Sequence, residues 1–276
     1  INSDLDLYAQ KRASNLYLPD QILHMLPPKI SAVCSLGIGE ISNAVSVGFL
    51  MNDSEISNIK IYLSQIKVTK MSYEEADKSL HENISLSMLN KIAKDHKKYR
   101  DSNGAIRLDL PKTDIKVKDQ KVLVLPQLQS ESREMVSEIM VLAGRVIAQY
   151  SIENNISMPY LSQASGKFSE EIIENINNLS LSKAFEAAKG FSRSKLSVTP
   201  SLHAGLGLEA YIRVTSPMRR YLDLVVQQQL INYISGLELM NKDDIKDRIK
   251  VINSTMSKTN KAVRQSIDHF RCLYFK

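Results

Sequence analysis

The sequence predicts an α+β fold, because blocks with the two-residue period of strands and blocks with the helical period share one chain. Residues 130–153 give the clearest helical pattern, and residues 44–71 and 114–125 give hairpin patterns. Hydrophobic residues make up 43% and charged residues 24% of the 276 residues, which suits a globular core and excludes a mainly disordered chain. No linker, repeat or change in composition divides the sequence, so one domain over residues 1–276 is predicted.

Composition also excludes several classes of protein. Two cysteines, Cys34 and Cys272, are too few to staple a chain of this length, and we expect reduced, buried thiols with no disulfide partner. No stretch approaches the roughly 18 uninterrupted apolar residues of a membrane span, so no membrane partner is expected. The 36 Lys and Arg against 30 Asp and Glu give a net charge of +6, a mild indication of an anionic partner.

The N-terminal third begins with a predicted helix over residues 3–14, capped by Asp4 or Asp6. Residues 16–20 follow as an extended run that ends in a turn, and the two prolines at 27–28 mark a break. Strands are predicted at 44–51 and 56–71, joined by a turn at residues 52–53.

The middle of the chain alternates between the two periods. Helices are predicted at 73–80 and 85–103, the first with Ser72 and Glu75 as a capping box and the second ended by Gly104. Strand character returns at residues 105–110 and 114–125, where residues 119–120 suit a hairpin turn.

The C-terminal half is mainly helical. The helix at 130–153 carries an apolar stripe at helical spacing, and shorter helices are predicted at 169–177 and 182–189. A strand at 208–214 leads into a helix from Pro217 to about residue 234, and residues 243–275 form a long amphipathic helix.

Residues 215–223, Thr-Ser-Pro-Met-Arg-Arg-Tyr-Leu-Asp, carry the strongest chemical signal. If Pro217 is the first helical residue, Arg219 and Arg220 lie in the first turn, where the helix dipole disfavours cations. Two arginines there make electrostatic sense if they bind an anion such as a phosphate. The alternative, about equally favoured, is that Asp223 neutralises one or both arginines.

Several other residues have a functional and a structural interpretation. Tyr17 and Tyr73 could stack on bases, although such tyrosines more often pack against the fold. Glu138 lies close to the apolar face of its helix and must pair or function, with an internal salt bridge slightly favoured. His203 precedes a glycine turn, where its ring could simply hydrogen-bond the loop. The five histidines show no metal-ligand spacing, and we assign Asp4 and Asp6 to capping rather than metal binding.

Five sequence elements occur together in an order typical of one enzyme family. They are residues 9–19, 25–36, 135–140, 203–208 and 215–221. The ordered set resembles the catalytic (RNB) domain of the ribonuclease II and ribonuclease R family of 3′→5′ exoribonucleases, most closely its plastid and cyanobacterial members. The resemblance covers nearly the whole chain. It implies an α+β fold with strands and long helices around a channel for single-stranded RNA, and Mg²⁺-assisted hydrolysis of RNA to 5′-mononucleotides.

The resemblance also implies roles for individual residues. Arg219 matches the catalytic arginine that steadies the scissile phosphate in the transition state. Tyr17 matches an aromatic residue that positions the 3′-terminal nucleotide, and Tyr73 matches another RNA-contacting tyrosine. Further matched positions, expected to contact RNA, are Arg12, Ser137, Glu138, His203, Thr215, Arg220 and Tyr221.

The sequence departs from the family pattern in three ways. The aspartate cluster that holds the metal in the family lies a short way upstream of the matched region, so we expect the chain to be an N-terminally truncated catalytic domain. No metal ligand is therefore assigned within it, and the polypeptide alone is expected to be inactive. Ser137 stands where several members carry a glutamate, and Leu108 where some carry a stacking phenylalanine. No cold-shock or S1 domain flanks the matched region.

Two alternatives to the exoribonuclease remain open. One is a non-catalytic RNA-binding relative of the same fold, and the other is an interaction domain that binds no RNA. The resemblance to bacterial and plastid members leads us to expect either the cytoplasm or the plastid stroma.

Overall fold

The computed structural model describes residues 2–52, 54–106, 108, 110–111, 113–127, 129–168 and 180–276. Within these ranges, helices and four two-stranded antiparallel sheets alternate along the chain, which confirms the predicted α+β class. The predicted helix at 169–177 lies outside the described residues.

The N-terminal helix α1, Asp4–Arg12, is capped by Ser3 rather than by Asp4 or Asp6. The Ser3 hydroxyl accepts the Asp6 backbone N–H at 3.2 Å, which leaves the Asp6 carboxylate for contacts elsewhere. Strands β1, Leu16–Tyr17, and β2, Ile22–Leu23, form a short antiparallel pair. The two prolines then start helix α2, Pro28–Cys34.

Two hairpins follow the predicted pattern closely. Strands β3, Ser42–Asn52, and β4, Glu55–Ile66, pair with a register shift between Gly48 and Leu50. Strands β5, Thr113–Lys118, and β6, Lys121–Pro126, are joined by Asp119 and Gln120, whose φ angles of 49° and 60° fit a type I′ turn. Strands β7, Tyr160–Ser162, and β8, Lys195–Ser197, form the last pair.

Six further helices complete the described structure. They are α3, Tyr73–Ser79; α4, Ile84–Ser102; α5, Glu131–Glu153; α6, Leu181–Gly190; α7, Tyr221–Ile234; and α8, Lys242–Tyr274. The capping box of Ser72 and Glu75 is present at the start of α3. Gly104, with φ of 77°, follows α4 as predicted.

The predicted burial of the two cysteines is wrong, because Cys34 and Cys272 are both exposed. The strand predicted at 56–71 ends at Ile66.

Two other strand predictions are wrong as well. The described part of residues 105–110 is irregular, and residues 208–214 form only isolated bridges, from Ile212 to Tyr160 and from Leu208 to His203. The apolar residues of the second segment are nevertheless buried, because Ile212 packs directly into the core from this irregular backbone. Burial rather than strand pairing therefore explains its hydrophobic pattern.

The core consists of two larger clusters that share helix α7. One cluster joins α1, α7 and α8 through residues such as Ala9, Val225 and Ile245. The other joins α5, β7 and α7, and it includes Ile147 and Val226. Helix α7 is thereby held from both sides, which fixes the segment that precedes it.

Helix α5 is long and apolar enough to cross a membrane by length and composition alone. In this fold it is a core helix. Met135, Leu142 and Val146 are buried, and Glu138 on the same helix forms a buried ion pair with Arg100.

Candidate functional site

The segment that carries Arg219 is a turn that ends where α7 begins. The backbone N–H groups of Arg219 and Arg220 both donate to the Ser216 carbonyl, at 3.1 and 3.0 Å. Arg220 is the N-cap residue and Tyr221 is the first helical residue. The prediction that Pro217 starts the helix is therefore wrong, because the chain completes this turn before it enters α7.

Asp223 fixes the turn and neutralises one of the two arginines. One oxygen of its buried carboxylate, Oδ2, accepts the Ser216 backbone N–H at 3.0 Å. The same oxygen accepts Nε and Nη2 of Arg220, at 3.0 and 2.5 Å. The alternative in which Asp223 neutralises an arginine therefore holds for Arg220, whose guanidinium is paired with this carboxylate.

Arg219 differs from its neighbour. Its side chain is exposed, and its guanidinium makes no hydrogen bond or ion pair with any described residue. The backbone at this position is nevertheless fixed, because the Arg219 carbonyl accepts the Asn15 N–H at 3.0 Å. A cation with its donors free and its backbone fixed is suited to bind an anion.

The segment around Asn15 brings two predicted site residues, Arg12 and Tyr17, towards Arg219. Ser14 and Arg220 form an antiparallel bridge, and the Tyr221 N–H donates to the Ala13 carbonyl at 2.9 Å. Arg12 precedes this segment, is exposed and lies with its guanidinium 5.1 Å from the Tyr8 ring centroid.

Tyr17 follows the same segment in β1 and leaves 48% of its surface exposed. Thr215, one residue before the buried Ser216, is exposed as well. An exposed aromatic ring, two exposed cations and a hydroxyl therefore lie on neighbouring stretches of chain.

Tyr73 and Ser137 belong to a second group, at the junction of α3 and α5. The Arg133 guanidinium lies 4.1 Å from the centroid of the Tyr73 ring, a cation–π contact. Ser137 is exposed one helical turn after Arg133, so both residues occupy one face of α5. The sequence pattern did not indicate Arg133 as a site residue, because its partner Tyr73 is distant in sequence and no local spacing links them.

Glu138 is buried, with 6% of its surface exposed, and this placement does not support the expected contact with RNA. Its carboxylate accepts Nε and Nη2 of Arg100 at 2.7 and 2.6 Å, and the His96 Nδ1–H at 2.7 Å. Burial by itself would raise the pKa of Glu138, but the hydrogen bonds from His96 and Arg100 and the charge of Arg100 lower it to about 2. The internal salt bridge is the correct interpretation.

Tyr221 is fully buried, and this placement does not support its expected contact with RNA. Its hydroxyl donates to Asp6 Oδ1 at 2.9 Å and accepts Nη1 of Arg248 at 2.7 Å. Burial, followed by the charge of Asp6, raises the pKa of Tyr221. This contact ties the start of α7 to α1 and α8, and Tyr221 thereby positions the turn that carries Arg219.

His203 is also buried, with 7% of its surface exposed. Its Nδ1 is buried without a hydrogen-bond partner among the described residues, and its ring lies edge-on to Tyr211 with centroids 5.8 Å apart. Burial, aided by the charges of Arg213 and Arg100, lowers the pKa of His203, so the ring is neutral at pH 7. A neutral, buried imidazole is a poor ligand for a phosphate, and its expected direct contact with RNA is not supported by this placement.

The described residues do not provide a metal site. They contain no group of three or more His, Cys, Asp or Glu side chains arranged to hold a metal ion. Asp223, which holds the turn, is engaged by Ser216 and Arg220, and Asp6 is engaged by Tyr221 and Arg248. The residues described here therefore do not fit a magnesium centre, and no chemical step is assigned to one.

A family model described as the RNB domain matches residues 1–236. The chain belongs to the RNB domain family. An uncharacterised ribonuclease of Synechocystis is 35% identical over 245 residues, which cover 85% of this chain and 36% of the relative. The chloroplastic/mitochondrial ribonuclease II of Arabidopsis thaliana is 29% identical over 252 residues, covering 85% of this chain and 31% of the relative. The RNB chain spans about a third of the length of these two relatives.

Solved structures share the RNB fold. RNase R of Mycoplasma genitalium, in complex with ribose-methylated single-stranded RNA, gives a TM-score of 0.86 at 21% identity over 98% of this chain and 50% of that chain. The Dss1 exoribonuclease of Candida glabrata gives 0.87 at 24% identity, over 96% of this chain and 38% of that chain. Yeast Ssd1, described as a pseudonuclease, gives a TM-score of 0.74 at 18% identity, over 96% of this chain and 38% of that chain. These matches confirm the RNB fold that the sequence motifs predicted.

Proposed function

We propose that this RNB chain is the catalytic unit of a 3′→5′ exoribonuclease that hydrolyses single-stranded RNA to 5′-mononucleotides. One observation carries the proposal: Arg219 holds a free, exposed guanidinium on a backbone that Asn15 and Ser216 fix. The names of the relatives support it, since those from Synechocystis and Arabidopsis thaliana are both called ribonucleases. The whole described chain contributes to this unit, because α8 packs against α1 and α7.

In the proposed reaction, water attacks the terminal phosphorus, the bond to the 3′ oxygen breaks and a 5′-mononucleotide leaves. Charge builds up on the phosphoryl oxygens as this occurs. The planar guanidinium of Arg219 donates two parallel hydrogen bonds to such oxygens and stabilises the added charge. Arg220 cannot take this role, because Asp223 already occupies its Nε and Nη2 donors.

The exposed residues beside Arg219 are proposed to hold the RNA. Tyr17 presents its ring to the 3′-terminal nucleotide, since aromatic stacking tolerates any base. Arg12 and Thr215 bind the backbone phosphates near it. Tyr73, with Ser137 on the adjoining helix, contacts a more distant part of the strand.

The family's chemistry implies Mg²⁺, which would activate the water and stabilise the leaving oxygen. Because the described residues offer no suitable group, its ligands are proposed to come from outside them. We propose the cytoplasm or the plastid stroma as the compartment, in view of the cyanobacterial and chloroplastic relatives.

A non-catalytic RNA-binding protein is the second candidate. Two observations favour it: the described residues hold no metal group, and the pseudonuclease Ssd1 shares the fold. Both candidates predict RNA binding, and only the first predicts product release.

Product analysis separates the two candidates. The full-length gene product is incubated with Mg²⁺ and a 5′-labelled single-stranded RNA, and the products are resolved by length and by end group. We expect a ladder that shortens from the 3′ end together with 5′-mononucleotides. RNA that is bound but stays intact would favour the non-catalytic candidate, and internal fragments would exclude an exonuclease.

A further inference from the structure

A third arginine, Arg213, lies beside the turn that carries Arg219 and Arg220. Its backbone is fixed by its neighbours: Ile212 is fully buried, bridges to Tyr160 and packs in the same core cluster as Val214. Arg213 itself is partly buried. The side chain therefore starts from a rigid point of the core, only six residues before Arg219.

Arg213 is an exception among the arginines of the described structure. Four other arginines are wholly or partly buried, and each has a polar or aromatic partner: Glu138 for Arg100, Ser54 and Tyr99 for Arg145, Asp223 for Arg220, and Asp6 for Arg248. The guanidinium of Arg213 makes no hydrogen bond, ion pair or cation–π contact with a described residue. The guanidinium nitrogens of Arg213 are not among the buried unpartnered atoms of the described residues, so they reach solvent and can meet a ligand from outside. Holding a charge without a partner in a partly buried position is nevertheless unfavourable, and proteins normally pair such groups.

The surroundings of Arg213 increase this cost. Burial, followed by the positive charge of Arg220, lowers the pKa of Arg213, although a guanidinium stays protonated at neutral pH. Asp223 is nearby, but its Oδ2 already accepts three hydrogen bonds, from Ser216 and Arg220. Arg213, Arg219 and Arg220 carry three positive charges, and Asp223 carries one negative charge. These four side chains therefore leave an excess of two positive charges around the turn.

His203 lies close enough to Arg213 for the two side chains to interact electrostatically. The charges of Arg213 and Arg100 act together with burial to keep its ring neutral. Its Nδ1 remains buried without a partner in the described part of the chain. An anion that enters beside Arg213 would offset the excess charge that both side chains experience.

We propose that Arg213 binds a backbone phosphate of the RNA, next to the phosphate that Arg219 contacts. This inference rests on the proposed function, because the ligand is a phosphodiester of the same strand. The guanidinium fork matches two phosphate oxygens, and an RNA phosphate supplies the negative partner that the protein omits. Arg213 is thus a substrate-positioning residue and Arg219 the catalytic one.

The proposal predicts opposite effects on folding and on RNA binding. Arg213→Gln removes an unpaired charge that Arg220 repels, so the melting temperature should stay the same or rise. The affinity for RNA should fall about tenfold at low salt, equivalent to about 1.4 kcal/mol. The slope of log K against log salt should lose about 0.7, the contribution of one phosphate on a single strand.

The test uses fluorescence anisotropy of a 5′-fluorescein oligo(A) RNA, titrated with the purified protein over a salt series without Mg²⁺. Arg264→Gln is the matched control, because it removes one exposed arginine from α8 and changes the net charge equally. Arg213→Lys keeps the charge without the fork and should restore the salt slope but only part of the affinity. Melting curves are recorded for every variant.

Each outcome decides a different point. If Arg213→Gln binds RNA with the wild-type affinity and slope, or resembles Arg264→Gln, the inference about Arg213 is wrong and the proposed function stands. A melting temperature several degrees below that of the wild type would make Arg213 a structural residue and would also overturn it. If the wild-type protein binds no RNA at any salt concentration, the proposed function itself fails.

Discussion

The buried group of Arg100, His96 and Glu138 yields a prediction whose size follows from the structure. Replacing Glu138 by Gln removes a carboxylate that accepts three hydrogen bonds and leaves the buried Arg100 without its counter-ion. The pKa of Glu138 is about 2 in the fold against an ordinary value of 4.5, a difference that corresponds to about 3 kcal/mol of stability. Breaking a buried pair typically costs about 3–5 kcal/mol, which agrees. For a chain of this size the melting temperature should fall by about 6–12 °C.

The sign of the pH dependence identifies the cause of this loss. A carboxylate with a lowered pKa stabilises the fold fully above about 4.5, and the contribution is lost as the pH falls towards about 2. The wild type should therefore exceed Glu138→Gln by about 3 kcal/mol at pH 7, and the gap should narrow between pH 4.5 and 2. Urea unfolding followed by circular dichroism measures both values.

A second glutamate on the same helix serves as the control. Glu131 pairs with Lys94 at the surface, where 38% and 56% of the two side chains are exposed. Glu131→Gln should cost at most about 1 kcal/mol, because solvent screens such a pair. A Glu138→Gln variant no less stable than Glu131→Gln, or a loss that does not change with pH, would refute the reasoning about the buried pair.

Two further predictions concern the site. Tyr17→Ala should loosen the hold on the 3′ end and change the length of the final product, as seen on a sequencing gel; an unchanged product ladder counts against the stacking role. Tyr221→Phe should cost about 1–3 kcal/mol, because the buried Asp6 and Arg248 lose the hydroxyl between them. Thermal melting measures that loss, and a melting temperature equal to that of the wild type would contradict the role given to the hydroxyl.

Local sequence chemistry predicted the elements whose causes are local. The capping box of Ser72 and Glu75 and the turn at Asp119 and Gln120 both depend on residues a few positions apart, and both are present as predicted. The predicted start of α7 is wrong, because the Asp223 carboxylate accepts the Ser216 N–H and holds it in a turn before the helix. Asp223 lies seven positions after Ser216 in the sequence. Propensity alone cannot reveal such a competing acceptor.

The residues of the candidate site show the same difference between causes that are local in sequence and causes that are distant. Motifs identified Arg219 and Tyr17, whose exposure suits a contact with RNA. They could not show that Glu138 is buried, since Arg100 and His96 are 38 and 42 residues away in sequence. Equally, Arg213 attracts attention only once the partners of every other buried arginine are known.

The role of Arg219 is the central claim, and the separation of turnover from affinity tests it most directly. In the full-length gene product, Arg219→Ala should lower kcat by at least about a hundredfold, while Kd for single-stranded RNA changes only a few fold, because the contact is strongest in the transition state. Equal losses in kcat and affinity would make Arg219 a binding residue, and an unchanged kcat would contradict the account.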